Sequence, residues 1–434
     1  MWLFDRLSAW GDAEAIVYRD QSFTYAQLLA ALAPVPDVAA GDVVLLQGDY
    51  SLKSIALLLS LLRQQAIIAP VAPGARIETG QLAATSQASF IMTEDTATAT
   101  GVRPSHAIYD DLRSRSAPGL VIFTSGSSGN PKSVVHDVSR ILAKHEKPRP
   151  AARTLSFLLF DHIGGFNTLV QTLASGGTLI IPSSQDPEIV SSSVARHKVE
   201  LLPVTPTFLN LMLLSGAHER HDLGSLRVVS YGTEPMPETT LDRAQKALPA
   251  VRFHQLYGMS EMGILKSKSR GPWVQLGGDG VETRIVDGIL HVKSPSAMLG
   301  YLDAPSPFLE DGWMNTGDEV EVDGDWIRIK GRRSELINVG GQKVFPQEVE
   351  NVIAQLDNIA DVTVFGEPHA LMGNVVACRV NLVAPEDPRA LKTRLRKHCR
   401  EHIAEFKIPV KVEITDAPLY GARMKRLRAS FLRE

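Results

Sequence analysis

Short apolar segments alternate with helix-like patterns along the first part of the chain. Residues 42–47 form an apolar run of strand length, residues 53–63 read as a buried helix, and residues 66–70 form a second apolar run. The strand-length runs are apolar at consecutive positions, which is typical of strands that are buried on both faces. Strands separated by helices predict a parallel sheet that is covered on both sides.

The pattern changes near residue 280. Asp287-Gly288 and Asp323-Gly324 each stand between segments of alternating apolar residues, which is typical of two-residue β-hairpin turns. They predict a small antiparallel unit attached to the larger body. Beyond Gly331-Arg332, strand and helix patterns fill about a hundred residues, a normal size for a domain. The predicted division is an N-terminal domain of residues 1–331 and a C-terminal domain of residues 332–434.

Composition narrows the classes of protein to consider. The chain has 434 residues, a formal net charge of −3 and two cysteines. A nearly neutral chain has no overall field that would attract nucleic acid or an anionic membrane. Two cysteines are too few for a disulfide framework, so we expect a reducing, cytoplasmic setting. The longest apolar run, residues 54–62, is too short for a membrane span, and the first residues lack the apolar region of a signal peptide.

A loop rich in glycine, serine and threonine follows the apolar residues 120–123. It runs from Thr124 to Gly129, and Lys132 comes just after it. Glycine lets backbone amides approach a ligand closely, hydroxyl groups add donors, and lysine adds a positive charge. The pattern predicts a strand, a phosphate-binding loop and a second strand, although the spacing of the common P-loop is absent. Composition alone leaves a flexible Ser/Gly linker open.

The order of residues in this loop, Thr-Ser-Gly-Ser-Ser-Gly-Asn-Pro-Lys, resembles the signature of the adenylate-forming superfamily. That group includes acyl-CoA and aryl-CoA ligases, peptide-synthetase adenylation domains and beetle luciferases. Other family landmarks are matched in order along nearly the whole chain, at residues 23–28, 68–73, 257–261, 313–318, 331–332, 340–341 and 424–428. The resemblance implies an α/β fold. A large N-terminal domain would hold parallel-rich sheets and the antiparallel unit, and a small mobile C-terminal α+β domain would act as a lid.

The resemblance also implies a set of ATP-binding residues. Its members are Thr124, Ser125, Gly126, Ser127, Ser128, Gly129, Lys132, Gly232, Thr233, Glu234, Tyr257, Gly258, Ser260, Asp318 and Arg332. Asp318 would accept hydrogen bonds from ribose hydroxyls, and Tyr257 would stack near the adenine. A carboxylate beside a triphosphate is repelled unless a cation lies between them. Glu261, together with Thr124, is therefore the implied magnesium ligand.

The last part of the chain would supply the catalytic lysine. Residues 424–428 resemble the family's Gly-Lys-x-x-Arg, so Lys425 is an implied catalytic residue together with Glu261 and His162. Ser334 stands at the implied hinge of the lid. The basic run around Lys425 leaves a solvated tail or a nucleic-acid patch open as an alternative. Some positions depart from the family's usual residues: Ser133, Thr233, Ser334 and Met424.

The acid-binding segment admits two interpretations. Residues 155–160 predict a strand, residues 168–174 predict a helix, and Asp161-His162 lies between them. Aligned on His162, the segment resembles acyl-CoA and aryl-CoA ligases, in which the ring gates the carboxylate. Aligned on Asp161, it resembles amino-acid adenylation domains, in which the aspartate holds the substrate ammonium. We favour the first interpretation because Gly164-Gly165 follows.

The implied substrate-binding residues are Asp161, His162, Thr207, Phe208, Tyr231, Met259 and Met262. Their apolar members indicate an aromatic or aliphatic acid. Just before two of them, Thr205 and Pro206 predict the start of a helix, because threonine is a good N-cap and proline suits the first helical position.

The implied activity is that of an AMP-forming acid–thiol ligase. ATP with Mg²⁺ would activate a small carboxylic acid to an acyl adenylate, and a thiol would then accept the acyl group. Coenzyme A is the first choice of thiol, and the phosphopantetheine of a carrier protein is the second. A catalytically weak nucleotide-binding homologue and, less favoured, a nucleic-acid binder remain as alternatives. Neither the particular acid nor the oligomeric state follows from the sequence.

Overall fold

The computed structural model describes residues 1–73, 78–124, 132–278, 280–421 and 423–427. The helices are α1 (Trp2–Ala9), α2 (Tyr25–Ala30), α3 (Leu52–Arg63), α4 (Thr79–Thr85), α5 (Ala107–Ser114), α6 (Val138–Ala143), α7 (Ile163–Ala174), α8 (Pro187–His197), α9 (Pro206–Leu214), α10 (Ala217–Arg220), α11 (Glu238–Ala247), α12 (Pro346–Ile353) and α13 (Pro388–His402). Short 3₁₀ turns lie at Arg333–Glu335 and Glu405–Lys407. None of the helices in these ranges is long and apolar enough to cross a membrane.

The strands belong to several sheets. In chain order they are β1 (Glu14–Tyr18), β2 (Gln21–Thr24), β3 (Val43–Gln47), β4 (Ile67–Val71), β5 (Phe90–Met92), β6 (Ala97–Ala99), β7 (Gly119–Thr124), β8 (Lys132–Asp137), β9 (Arg153–Leu155), β10 (Thr178–Ile181), β11 (Leu201–Val204), β12 (Val228–Tyr231), β13 (Arg252–Gln255), β14 (Tyr257–Met259), β15 (Gly263–Leu265), β16 (Ser267–Arg270), β17 (Trp273–Leu276), β18 (Glu282–Val286), β19 (Ile289–Lys293), β20 (Gly300–Tyr301), β21 (Met314–Asp323), β22 (Trp326–Arg332), β23 (Ile337–Val339), β24 (Gln342–Val344), β25 (Ile359–His369), β26 (Gly373–Leu382) and β27 (Lys411–Ile414).

Two sheets rich in parallel pairs form the body. The first has the order β13-β12-β11-β9-β10-β1-β2, and its neighbours are parallel except for the edge strand β2. The second has the order β20-β8-β7-β4-β3-β5-β6, with parallel pairs at its centre. Apolar side chains of α3 and α7 pack in one buried cluster with strands of both sheets. The predicted parallel, helix-covered sheet is therefore confirmed, because continuous apolar runs need cover on both faces.

The strands that flank the predicted phosphate loop are confirmed. Strand β7 pairs antiparallel with β8, from Gly119 opposite Asp137 to Thr124 opposite Lys132. This pairing holds the two ends of the loop side by side. The loop residues Ser125, Gly126, Ser127, Ser128 and Gly129 lie outside the described residues.

An antiparallel sheet, β16-β17-β22-β21-β19-β18, carries both predicted hairpins. Asp287 and Gly288 have φ of +50° and +74°, which suits a two-residue turn with both centres in the left-handed region. The second turn is displaced by one residue from its prediction. Asp323 still pairs with Trp326 in the ladder, so the turn consists of Gly324 and Asp325.

The C-terminal part has its own hydrophobic core. Strands β23 to β27 form one mixed sheet, and α12 and α13 pack on it through buried residues that include Val349, Ile353, Leu391 and Leu395. This α+β unit and the α/β body confirm the predicted fold class.

The segment before α7 differs from its prediction. Strand β9 ends at Leu155, and α7 begins at Ile163 rather than near residue 168. His162 caps the helix, because its Nδ1 accepts a hydrogen bond from the Gly164 amide at 3.0 Å. A Cβ at position 165 would lie 2.0 Å from the carbonyl oxygen of Leu159, so glycine permits this tight entry into the helix.

Candidate active site

The predicted site residues follow neighbouring strands of the first sheet. Asp161 follows β9, Thr207 follows β11, Glu234 follows β12 and Tyr257 follows β13. These strands are parallel, so their carboxyl ends lie at one edge of the sheet. Open parallel sheets bind ligands outside this edge. The fold therefore brings together residues that the sequence spreads over about a hundred positions.

Asp318 is held by two partners in the described structure. The Tyr257 hydroxyl donates to its Oδ2 at 2.6 Å, and Arg332 Nε lies 3.3 Å from its Oδ1. Asp318 and Arg332 face each other in the β21–β22 ladder, which fixes the pair. Burial raises the pKa of Asp318, while Arg332 and the Tyr257 hydrogen bond act in the opposite direction. Tyr257 thus orients the carboxylate predicted to bind ribose, a contact that the sequence did not indicate.

Glu261 lies in the tight turn between β14 and β15. Its Oε1 accepts a hydrogen bond from the Tyr301 hydroxyl at 2.6 Å. The ammonium of Lys132 lies 5.0 Å from the centre of the same Tyr301 ring. Tyr301 therefore connects the predicted metal ligand with the lysine at the end of the phosphate loop. Sequence reasoning missed it, because Tyr301 is forty positions from Glu261 and belongs to no motif that we identified.

The surroundings of Glu261 fit a magnesium ion that is held mainly by substrate. Tyr301 occupies Oε1, which leaves the second carboxylate oxygen for a metal. The described residues contain no group of three or more His, Cys, Asp or Glu side chains that could hold an ion by themselves. Mg²⁺ commonly binds through one or two carboxylates, substrate phosphates and several waters. The predicted second ligand, Thr124, donates its hydroxyl to the Lys132 carbonyl at 3.3 Å.

Lys425 lies in a tight turn that reaches the same edge of the sheet. The Gly421 amide donates to the Lys425 carbonyl at 3.0 Å, and Tyr420 forms a bridge with Arg426. Thr205 Oγ1 donates to the Met424 carbonyl at 2.6 Å. The predicted N-cap Thr205 is confirmed, because the same hydroxyl accepts from the Phe208 amide at 3.1 Å. The turn therefore docks on the beginning of α9.

Glu234 makes a second contact between this turn and the beginning of α9. Its Oε1 accepts from the Thr207 amide at 2.8 Å, and its Oε2 accepts from the Arg426 amide at 3.0 Å. One carboxylate thus connects the start of α9 with the turn that carries Lys425. Glu234 was predicted as a nucleotide contact, and the structure adds this bridging position.

Arg426 fixes the turn to the C-terminal unit. Its guanidinium lies 2.9 Å from Glu350 and 2.8 Å from Asp361, and all three side chains are almost fully buried. The Thr363 hydroxyl also donates to the Leu427 carbonyl at 3.1 Å. Sequence reasoning treated Arg426 as part of a basic run, because its carboxylate partners lie more than sixty residues away.

Two residues of the turn have unusual backbone or electrostatic states. Met424 has φ of +48°, in the left-handed region that favours glycine, the residue that the family motif has at this position. Burial lowers the pKa of Lys425 to about 8, with Glu234 raising it and Arg423 and Arg332 lowering it further. Lys425 therefore loses its charge at a lower pH than an ordinary lysine does, and the ammonium predominates below about pH 8.

The charge of Lys425 predicts an alkaline limit to acid activation. If the ammonium form is needed, kcat/KM for pyrophosphate release should fall as pH rises through about 8. Glu234→Gln removes a charge that favours the ammonium, so this limb should move to lower pH. The measurement is a pH profile of wild type and Glu234→Gln, with Glu238→Gln, which pairs with Arg328, as the control. An unmoved limb would exclude Lys425 as its source.

His162 is held in one defined protonation state. Burial lowers its pKa well below the usual value, and Lys425 and Arg423 lower it further. Since Nδ1 accepts from the Gly164 amide, the neutral ring carries its proton on Nε2. His162 lines a small cavity together with Leu158, Leu159, Gln185, Arg423 and Lys425. A neutral ring with an N–H donor beside a lysine can bind a carboxylate.

Asp161 has a partner within the chain. Arg423 Nη2 lies 3.2 Å from its Oδ2, although the two residues are 262 positions apart. Asp161 is buried, with a relative exposure of 8%. The carboxylate that could have held a substrate ammonium is thus paired with a guanidinium of the Lys425 turn.

The remaining predicted substrate residues are buried side chains. Phe208 and Tyr231 belong to the hydrophobic cluster of the first sheet, while Met259 and Met262 belong to that of the antiparallel sheet. Thr207 is 5% exposed and its hydroxyl has no hydrogen-bond partner in the described structure. None of these five residues lines the cavity of His162 and Lys425, so their contact with an acid stays a prediction.

The structure also accounts for some departures from the family pattern. Ser133 donates to Asp303 through its amide and its hydroxyl, each at 3.0 Å. The serine side chain therefore has a structural contact at this position. Thr233 has φ of +75°, a strained value for a β-branched residue, and it follows directly on Gly232. Ser334 lies in the exposed 3₁₀ turn Arg333–Glu335 between β22 and β23.

The last predicted nucleotide residues lie in or near β14. Gly258 pairs with Ile264 in the short hairpin of β14 and β15. The carbonyl oxygen of Ser260 accepts a hydrogen bond from His136 Nε2 at 2.6 Å. Burial lowers the pKa of His136 to about 4, so this ring is neutral and acts as the donor. Gly258 is therefore held by the hairpin, and Ser260 is held by the second sheet.

Comparison with known proteins identifies the family. The AMP-binding enzyme family matches residues 3–302, and the AMP-binding enzyme C-terminal domain matches residues 348–421. A 7a-methyl-1,5-dioxo-octahydro-indenyl propanoyl:CoA ligase of Mycobacterium tuberculosis is 31% identical over 322 residues, which are 68% of this chain and 62% of the relative. An indoleacetate–CoA ligase of Aromatoleum aromaticum is 28% identical over 331 residues, 69% of this chain and 64% of the relative.

The chain thus spans less than two thirds of the length of these relatives. Among solved structures, the anthranilate CoA ligase AuaEII in complex with anthranoyl-AMP has a TM-score of 0.83 at 19% identity. That alignment covers 98% of this chain and 95% of the other, and it shows that the two share a fold. The AMP-binding enzyme family matches more than half of this chain, and the chain therefore belongs to that family.

Proposed function

We propose that this chain activates a carboxylic acid with ATP and transfers the acyl group to the thiol of coenzyme A. The observation that carries the proposal is the dock of the Lys425 turn beside His162, at the edge of the sheet that also presents Glu234 and Tyr257. An ammonium and a neutral imidazole line one cavity, and Glu234 connects the turn that carries the ammonium with the start of α9. The named relatives are CoA ligases, which supports the same activity.

In the first step an oxygen of the substrate carboxylate attacks the α-phosphorus of ATP, and the bond from that phosphorus to the bridging oxygen breaks. Pyrophosphate leaves with the electron pair, and an acyl adenylate remains. His162 Nε2–H would orient the carboxylate, and the Lys425 ammonium would stabilise charge that develops on the transferring phosphoryl group. Asp318 would hold the ribose. Magnesium, bound through Glu261 with Thr124, would neutralise phosphate charge beside that carboxylate.

In the second step the thiol sulfur attacks the carbonyl carbon of the adenylate, the thiol proton passes to solvent, and AMP leaves with the electron pair of the broken bond. We propose that the C-terminal domain, residues 332–434, rotates between the two steps about Ser334, relative to residues 1–331. The exposed 3₁₀ turn at Ser334 supports this pivot, because hinges are short connections that absorb backbone changes. A phosphopantetheine arm on a carrier protein is the alternative acceptor.

The proposed substrate is an aromatic or aliphatic acid without an ammonium group beside its carboxylate. Arg423 already balances the charge of Asp161, so a second cation from substrate would be repelled by Arg423. The relative that acts on indoleacetate and the structure with anthranoyl-AMP are consistent with an aromatic acid. The experiment is a panel of carboxylic and amino acids assayed for ATP-dependent pyrophosphate release, with and without coenzyme A. If no acid gives release although ATP binds, the protein is a nucleotide-binding homologue instead.

The roles of His162 and Asp161 predict different kinetic effects. His162→Ala should raise KM for the best acid about tenfold or more, because a donor to the bound carboxylate is lost. Asp161→Asn should leave that KM within about twofold, because its partner is Arg423 and not substrate. Steady-state pyrophosphate release over a range of acid concentrations measures both values. A larger KM effect at Asp161 would favour the amino-acid interpretation of this segment.

A further inference from the structure

The ion pair between Arg423 and Asp161 connects the region that matches the AMP-binding enzyme family with the turn that follows the match to its C-terminal domain. Asp161 lies between β9 and α7, within the region that matches the AMP-binding enzyme family. Arg423 lies in the turn that presents Lys425, two positions before it. The Asp161 side chain is 11% exposed and the Arg423 side chain 32%. The pair is therefore partly shielded from solvent.

The turn is fixed more firmly to the C-terminal unit than to the body. Arg426 binds two buried carboxylates of that unit, Glu350 and Asp361. On the other side, the turn meets the body through backbone hydrogen bonds to Thr205 and Glu234. Arg423 must therefore move with the C-terminal unit if that unit moves, and its contact with Asp161 must then break.

Breaking the contact is unfavourable for Asp161. Its Oδ1 is buried and has no hydrogen-bond partner among the described residues, so Arg423 is the group that balances its charge there. A buried carboxylate that loses its partner keeps the desolvation penalty without the compensation. The pair consequently favours the docked orientation, in which Lys425 lines the cavity beside His162.

We propose that Arg423 and Asp161 form an ion-pair latch that positions Lys425 for acid activation and must open before acyl transfer. This inference rests on the proposed two-step function. Neither residue needs to touch substrate, so both are positioning residues. The latch acts in addition to the hydrogen bonds to Thr205 and Glu234 and to the attraction between Glu234 and Lys425.

A double-mutant cycle tests the latch in each half-reaction separately. Arg423→Gln and Asp161→Asn should each slow pyrophosphate release about tenfold to a hundredfold, as misplacement of a catalytic group by about 1 Å does. Thioester formation from supplied acyl adenylate and coenzyme A should be unchanged or faster. The double variant should be no worse than either single variant, because both remove the same interaction. Arg423→Lys should recover most of the activity, and Arg400→Gln, which breaks the exposed pair with Glu405, serves as the control.

A second measurement does not depend on turnover. The Arg426 amide, which donates to Glu234 in the docked turn, should exchange with deuterium several-fold faster in Arg423→Gln than in wild type, as followed by peptide mass spectrometry, because the turn undocks more often. Equal labelling rates, or losses that multiply in the double variant, or equal losses in both half-reactions would overturn the latch. Failure of every acid to give pyrophosphate in wild type would overturn the proposed function, and the labelling result would still decide on the latch.

Discussion

Lys425→Ala is expected to lower the rate of pyrophosphate release by about a hundredfold to a thousandfold, the range seen when a preorganised electrostatic group is removed from an active site. Thioester formation from supplied acyl adenylate should remain within about twofold, because the proposed second orientation withdraws Lys425 from the site. The structure supports the first expectation by placing the Lys425 side chain in the cavity beside His162.

The measurement is to follow both half-reactions in single-turnover assays. Lys397→Ala is a suitable control, because Lys397 lies exposed on α13 of the same domain. It should behave as wild type in both assays. A Lys425→Ala variant that loses both half-reactions equally would argue for a static two-domain enzyme, and one that loses neither would remove Lys425 from the catalytic residues.

Glu261→Gln is expected to raise the Mg²⁺ concentration needed for pyrophosphate release by about a hundredfold, with partial rescue at excess Mg²⁺. Tyr301→Phe should raise it only about tenfold, because it removes the hydrogen bond to Oε1 and leaves the carboxylate charge, and partners of metal ligands typically contribute on that scale. The informative result is whether Glu261→Gln needs a higher Mg²⁺ concentration than Tyr301→Phe does.

A Mg²⁺ titration of pyrophosphate release, together with one of ATP binding, measures these effects. The binding experiment separates a loss of metal affinity from a loss of chemistry. Glu321→Gln, which pairs with Arg328 on the antiparallel sheet, is the matched control. If Glu261→Gln responds to Mg²⁺ as wild type does, another group holds the metal.

Local patterns predicted the parts of the fold that are decided by neighbours in sequence. The strand–loop–strand around Lys132, the Thr205 cap and the Asp287-Gly288 turn each depend on a few adjacent residues. The predicted turn Asp323-Gly324 was misplaced by one residue, because an Asp-Gly pair does not determine which residues form the last pair of the two strands. The start of α7 was missed because helical periodicity cannot reveal a histidine that caps its own helix.

The sequence predicted the motif residues of the site, including Tyr257 and Glu234, but it did not predict Tyr301 or the contacts among these residues. The resemblance supplied Asp318, Glu261 and Lys425, and their individual roles remain predictions. Their partners Tyr257, Tyr301 and Glu234 hold them through hydrogen bonds or charge that cross long stretches of chain. A single sequence contains no signal for such pairs, because the two partners of each pair lie far apart along the chain and no local pattern connects them.

The Thr205 hydroxyl serves two neighbours at once, accepting from the Phe208 amide and donating to the Met424 carbonyl. The hydroxyl at position 205 is therefore needed both to cap α9 and to hold the turn that carries Lys425. Thr205→Ala would fray the start of α9 and would also weaken the contact with the turn. A loss of activity could therefore not be assigned to either cause. Of the other side chains, serine alone keeps a short hydroxyl on the same carbon, and so natural variation at Thr205 should be narrower than its place on a helix end would suggest.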